Sequence, residues 1–304
     1  MSRRIVTGRR RGLAAAVLVA VGALTVAGCG ASTTAPDAAS TSVVRPSSAS
    51  IGPVVAGQEW GRVHNLTLDG DRLLLATHEG LWEQSPGQPA RLLSDPPFDV
   101  MGFAIQGQRM LASGHPGEGQ DLPADLGLRE STDRGATWRS VSLEGQVDFH
   151  RLSAAGDVVL GLSAHDGRLR RSADVGRTWA DLGTPPLFDL ALDPADAGHV
   201  LGTSEQGPMV SNDGGATFTR IDGAPLLALL SWTSAALYGV TPDGVVHRSS
   251  DGGTTWQAAG RVPGQPAALA ADGSKLVVLA GKTIVESTDG GATFTPRVTG
   301  IAGH

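Results

Sequence analysis

Cysteine and tyrosine are almost missing from this chain: each occurs once in 304 residues, as Cys29 and Tyr238. A lone cysteine has no intrachain partner, which excludes a disulfide framework. No window carries the 3.6-residue apolar period of an amphipathic helix, which argues against a helical architecture. What the chain has in quantity is glycine, 42 residues, with 18 prolines and a 40% hydrophobic fraction. That composition can fill a large core and join its parts by many turns.

The N-terminus reads as an export signal. Arg3, Arg4, Arg9, Arg10 and Arg11 precede the apolar run LAAAVLVAVGALTVAG (13–28), which is too short and too rich in small residues for a comfortable membrane span. The run ends in VAGC (26–29), which resembles the bacterial lipobox. The resemblance implies cleavage after residue 28, lipidation of Cys29 and a mature chain held on the outer side of the cell membrane. Residues 29–57, rich in Ala, Ser, Thr and Pro, read as a flexible tether, leaving 58–304 for the folded domain. Loss of residues 1–28 takes the formal charge from −6 to −11. Such an acidic domain makes nucleic acid or an anionic lipid surface a poor main partner. A monomer is expected.

Five related octets punctuate the rest: STDRGATW (131–138), SADVGRTW (172–179), SNDGGATF (211–218), SSDGGTTW (249–256) and STDGGATF (287–294). Their aspartates, Asp133, Asp174, Asp213, Asp251 and Asp289, are spaced by 41, 39, 38 and 38 residues. A period near 40 in a strand-rich chain is that of propeller blades. Each period carries apolar strands A and B, a Gly-bearing turn, strand C, the octet as a tight hairpin, and strand D. The frame extends back to residues 64–87, where Ser85-Pro86-Gly87 stands in place of the acidic turn. We therefore expect an all-β fold of six four-stranded blades, or seven if PVVAGQEW (53–60) supplies further strand. In the hairpin the aspartate is expected to accept backbone N–H groups two residues on, the glycine to allow positive φ, and the aromatic to bury the base.

A hairpin made five times is scaffold, so chemistry is sought on the opposite face, where B–C loops and strand A starts surround the channel mouth. His64, Met101 and His150 align at the start of strand A in blades 1 to 3, and His78, His115 and His165 fall in the B–C loops of the same blades. The long blade 2 loop adds Glu118, Asp121 and Asp125, and Glu79 and Asp148 lie beside the histidines. Imidazoles with a thioether suit zinc or copper. His64, His78, His115 and His150 are thus a candidate metal set, with Met101, Glu79 and Asp148 as further binding residues. His199, His247 and His304 are expected to be ordinary surface residues.

The octets resemble the Asp-box, or BNR, repeat of sialidases, sortilin-type receptors and other propellers. The phrases ATHEGLWE, MGFAIQG, DFHRL and ASGHPGEGQDLPADLGLRESTDRGATW resemble bacterial exported propellers labelled glycosyl hydrolase or sialidase-like, over roughly residues 60–300. That resemblance implies an envelope protein acting on or binding glycan. A conventional sialidase would need an arginine triad, a tyrosine nucleophile with an acid partner and an Arg-Ile-Pro motif. The only tyrosine lies in the strand phrase ALYGV, and the propeller has no Arg-Ile-Pro. Two functions remain: a binding module for a metal ion, a glycan or another envelope protein, and a glycosidase using two carboxylates, for which Asp148 and Asp121 are the candidates.

Overall fold

The computed structural model describes Val54, Val55 and residues 60–301. The expected signal peptide, Cys29 and most of the tether lie outside the described residues. Strand β1 (Val54–Val55) is followed by blade 1, made of β2 (Val63–Asp69), β3 (Arg72–Thr77), β4 (Gly80–Gln84) and β5 (Arg91–Leu92). Blade 2 has β6 (Asp99–Gln106), β7 (Arg109–His115), β8 (Leu128–Ser131) and β9 (Arg139–Ser142). Blade 3 has β10 (Phe149–Ala155), β11 (Val158–Ser163), β12 (Leu169–Ser172) and β13 (Ala180–Asp181). Blade 4 has β14 (Asp189–Leu192), β15 (Val200–Thr203), β16 (Met209–Ser211) and β17 (Thr219–Arg220). Blade 5 has β18 (Leu229–Trp232), β19 (Leu237–Val240), β20 (Val245–Ser249) and β21 (Gln257–Arg261). Blade 6 has β22 (Pro266–Asp272), β23 (Lys275–Ala280), β24 (Thr283–Ser287) and β25 (Thr295–Thr299). Each blade is an antiparallel sheet in chain order, and together they form a six-bladed β-propeller without an α-helix among the described residues.

The second strand of each blade explains why alternation is weak there. Leu73, Leu74, Leu75 and Ala76 of β3 are all fully buried, because the sheet is covered on both faces by its neighbours. A strand buried on both sides reads as a continuous apolar run. The core is accordingly divided among the six interfaces between blades. One cluster packs Leu74 and Leu81 of blade 1 on Val100, Phe103 and Met110 of blade 2. Others join blades 2 and 3, 3 and 4, 4 and 5, 5 and 6, and 6 and 1.

The five hairpins are built alike. The buried serine Oγ donates to the aspartate Oδ1 at 2.7–2.8 Å and accepts the N–H of the glycine four residues on at 2.7–2.9 Å. The aspartate accepts the threonine N–H at 2.9–3.0 Å and the threonine hydroxyl at 2.5–2.7 Å. The aspartate's reach is thus four residues, not two, because the loop curls over its carboxylate. These hydrogen bonds hold the carboxyls of Asp133, Asp174, Asp213 and Asp251 down to about 2, and that of Asp289 low as well.

Each hairpin also presses on the preceding blade. In blade 3, Trp179 Nε1 donates to Ser142 Oγ of blade 2 at 2.9 Å, and Ser142 donates to the Gly176 carbonyl at 2.5 Å. The Trp179 ring lies 4.9 Å from that of Phe149. Blade 1 lacks the acidic hairpin and closes the ring differently. Arg297 of blade 6, buried, donates to Gln84 Oε1 at 2.8 Å, to the Gln84 carbonyl at 3.0 Å and to the Asp71 carbonyl at 2.8 Å. The PVVAGQEW stretch builds no seventh blade. Its Val54 and Val55 pair in parallel with Val298 and Thr299, so β1 becomes a fifth strand on the outer edge of blade 6. The propeller sheet therefore begins inside the segment expected to be tether.

Two outcomes test this account. Gly176 has φ +81°, and a Cβ there would meet Leu128 Cδ2 at 2.0 Å. Gly176→Ala should cost about 2–4 kcal/mol in urea unfolding, from overpacking plus left-handed strain, whereas Gly156→Ala should cost about 1–2 kcal/mol from strain alone; at Gly156 a Cβ meets nothing within 4 Å. The hairpin aspartates have folded pKa values below their unfolded ones, so the unfolded chain binds more protons. Their stabilisation is complete above pH ~4 and falls away as pH drops toward ~2. Asp251→Asn should flatten that part of the urea-midpoint profile, and an unchanged slope would contradict the role.

Candidate functional site

Four first strands open with a bulge that re-aims one side chain at the channel mouth. Register shifts fall between Val63 and Asn65, Val100 and Gly102, Phe149 and Arg151, and Pro266 and Ala268. The extra residues are His64, Met101, His150 and Ala267. A bulge leaves its residue outside the ladder, and bulges are frequent beside active sites for that reason. The matching residue of blade 4 follows from packing. Phe149 sits against Gly161 as Leu187 sits against Gly202, with 2.5 Å and 2.6 Å to an added Cβ. The next residue, Phe188, therefore corresponds to His150. Around half the mouth the order is His64, Met101, His150, Phe188, and Phe188 is 54% exposed.

The four histidines divide into two clusters rather than meeting at one centre. In the first, His64 Nε2 lies 3.3 Å from Asp99 Oδ1, and His78 Nδ1 lies 3.0 Å from Asp99 Oδ2. In the second, Asp148 Oδ2 faces His150 Nε2 at 2.6 Å and His115 Nε2 at 3.4 Å. One ligand atom from each member of either cluster lies within 4.8 Å of the others. Both carboxylates are buried, Asp99 at 7% and Asp148 at 4% exposure. Their Oδ1 atoms, and His64 Nε2, have no hydrogen-bond partner among the described residues.

The blade rotation relates the clusters. His78 and His115 each follow the residue that pairs with the position just before the bulge, Val63 and Val100, and Asp99 and Asp148 each stand two residues before the bulge of the next blade. The third equivalent niche, between blades 3 and 4, has Ala164 and Pro186 at those positions. Without imidazole and carboxylate the niche is a groove of about 560 Å³, lined by His150, Ala164, Pro186, Phe188, Glu205 and Gln206 among others. Arg151 reaches both this groove and the central channel. Its Nε is held 3.2 Å from Asp189, which also accepts the N–H groups of Leu190 and Leu230. Burial raises the Asp189 pKa, against Arg151 and those N–H groups.

The other expected residues are dispersed. Glu79, Glu118 and Asp121 are exposed, Asp125 is half-buried, and His165 is exposed and belongs to neither cluster. Met101, half-buried at the blade 2 bulge, stands between the clusters in blade order. Tyr238 is buried and donates to the Gly273 carbonyl at 3.2 Å, away from the mouth. His199 and His247 are not free surface residues. His199 stacks edge-on against Trp232 at 5.0 Å, and burial lowers the pKa of His247. Sequence reading missed Asp99 and Phe188. Asp99 shares the offset of Asp148 from the aligned bulge, a signal present in DVM and DFH; Phe188 carried none, because blade 4 has Pro186 and Phe188 where blade 3 has Asp148 and His150.

Removing an imidazole from beside a buried carboxylate leaves that charge short of a partner. His150→Ala should lower stability by about 1–3 kcal/mol in urea unfolding, and His165→Ala by less than about 0.5 kcal/mol. Equal small effects would mean that the Asp148 cluster contributes nothing to the fold.

No protein-family profile matches the chain, and no curated protein matches it. Solved structures do. A chain of a nidogen–laminin complex superposes with TM-score 0.59 at 11% identity, over 75% of this chain and 94% of that one. The GH74 xyloglucanase of Xanthomonas campestris gives 0.55 at 18% identity, over 80% of this chain but 46% of the enzyme. PorZ, a surface component of the type-IX secretion system of Porphyromonas gingivalis, gives 0.52 at 11% identity, over 83% and 40%. The likeness is one of fold: the chain resembles β-propellers, including distant glycoside hydrolases.

Proposed function

We propose that this protein is a lipid-anchored, extracytoplasmic binding propeller that captures a saccharide on the mouth formed by blades 1 to 4, with the five hairpins serving as Asp-box scaffold. The observation that carries the reading is the groove between blades 3 and 4. Its exposed Phe188 ring shares the groove with two exposed polar residues, Glu205 and Gln206. A flat apolar surface edged by donors and acceptors fits a sugar ring, which has an apolar face and a hydroxyl rim. The xyloglucanase likeness agrees with a glycan ligand but supports the fold alone.

Binding is favoured over hydrolysis by the same groove. A glycosidase needs two carboxyl groups across the scissile bond. Glu205 is the only carboxylate lining this groove among the described residues. Asp148 is held between two imidazoles, and Asp121 stands exposed in the blade 2 loop.

Phe188→Ala should weaken binding of a glycan identified on an array of envelope and plant oligosaccharides by roughly tenfold or more, with Phe188→Trp retaining it, as followed by calorimetric titration. That fold-change corresponds to about 1.4 kcal/mol. Turnover of any oligosaccharide, abolished by Asp148→Asn or Asp121→Asn, would replace the binding reading with the glycosidase one.

A further inference from the structure

We infer that the two clusters beside this groove are separate metal sites, each holding one divalent transition-metal ion through two imidazoles and one carboxylate: His64, His78 and Asp99 in one, His115, His150 and Asp148 in the other. The inference stands independently of what fills the groove.

The proton positions carry the argument in the second cluster. His115 Nδ1 lies 3.0 Å from the Ala124 carbonyl oxygen, which can only accept, so Nδ1 carries the proton. With Nδ1 so engaged, Nε2 is the ring atom left to face Asp148 Oδ2, itself an acceptor, at 3.4 Å. That nitrogen, His150 Nε2 and the buried carboxylate, whose Oδ1 has no hydrogen-bond partner among the described residues, converge on a space that a cation would fill. The carbonyl contact is also the arrangement that orients metal-bound imidazoles generally, fixing the tautomer and raising basicity.

The first cluster shows the same deficit in another form. His64 Nε2 and Asp99 Oδ1 are both buried, lack hydrogen-bond partners among the described residues, and stand 3.3 Å apart. A tetrahedral ion with bonds of about 2.0–2.1 Å sets its donors about 3.3–3.4 Å apart. The shorter contacts, the His78–Asp99 hydrogen bond at 3.0 Å and the His150–Asp148 ion-pair contact at 2.6 Å, are ones that a bound ion would replace.

Asp189 is the internal control. It too is buried, yet both its oxygens have partners, in the N–H groups of Leu190 and Leu230 and in Arg151. Where this fold needs only to satisfy a buried carboxylate, it uses backbone and arginine. At Asp99 and Asp148 it supplies pairs of imidazoles and leaves an oxygen over. An approach route exists, since the side chain of His78 is 61% exposed and that of His115 39%. Two histidines with one carboxylate suit zinc and its neighbours in the first transition row, and leave a coordination position open.

The test loads the purified, untagged full-length chain with zinc(II), removes free metal by gel filtration and counts bound ions by mass spectrometry. Two ions per chain are expected, with cobalt(II) substitution giving visible tetrahedral absorption. Asp99→Asn and Asp148→Asn should each remove one ion, and the double variant both. His78→Ala and His115→Ala should repeat those single losses, whereas His165→Ala, at an exposed histidine outside both clusters, should keep both ions. Zinc should raise the thermal midpoint of the wild type and not of the double variant. No bound zinc, one ion lost equally by either substitution, or two ions retained by the double variant would each overturn the inference.

Discussion

Contact between neighbouring sheets is the constraint on which everything else in this molecule rests. No blade has a core of its own; Leu74 and Leu81 of blade 1 are buried only because Phe103 and Met110 of blade 2 lie over them. A single four-stranded sheet with two apolar faces is not a stable object, so the ring must close for any blade to be covered. The hairpins keep each contact in register. Their serine, aspartate and threonine lock the turn, and the tryptophan or glycine behind it bears on the previous blade, as Trp179 bears on Ser142. Where the sixth hairpin is eroded, buried Arg297 and Gln84 complete the circle with polar contacts.

A rigid ring with one niche per interface can vary the niches independently. Three consecutive niches are built on the same backbone positions, and their contents differ by a few side chains. Two carry imidazoles with a buried carboxylate, and the next carries Ala164, Pro186 and Phe188 in their place. Blades 5 and 6 present alanine at the bulge position, Ala228 by packing of Leu227 on Gly239 and Ala267 by register. The proposed recognition surface is thus confined to one half of the mouth, with His150 bordering both a cluster and the groove.

Much of this was legible before any coordinates. The Asp133, Asp174, Asp213, Asp251 and Asp289 spacing set the blade frame, because a repeat that must superpose in three dimensions cannot drift far in length. Alignment on that frame placed His64, Met101 and His150 together, since each occupies the same bulge. What alignment does not encode is the angle between blades. It grouped four histidines as one set, whereas Asp99 and Asp148 draw them apart into pairs. Phe188 was hidden for a related reason: blade 4 has Pro186 where the carboxylate that marks the offset stands in blades 2 and 3, and only the seating of Leu187 on Gly202 restores it. The grip of each hairpin on its neighbour was likewise invisible, because the residues it touches lie about 40 positions away in unrelated local sequence.

Strand β1 has a meaning beyond ring closure. The outer strands of blades 1, 3 and 4 are two residues long, too short to offer much unpaired backbone, whereas β21 and β25 each run for five residues. An edge of that length is a template for a strand from another molecule. By laying Val54 and Val55 along Val298 and Thr299, the chain covers part of the blade 6 edge with its own backbone. The residues that lead into the first blade thus double as a guard against copies of the chain joining edge to edge at blade 6.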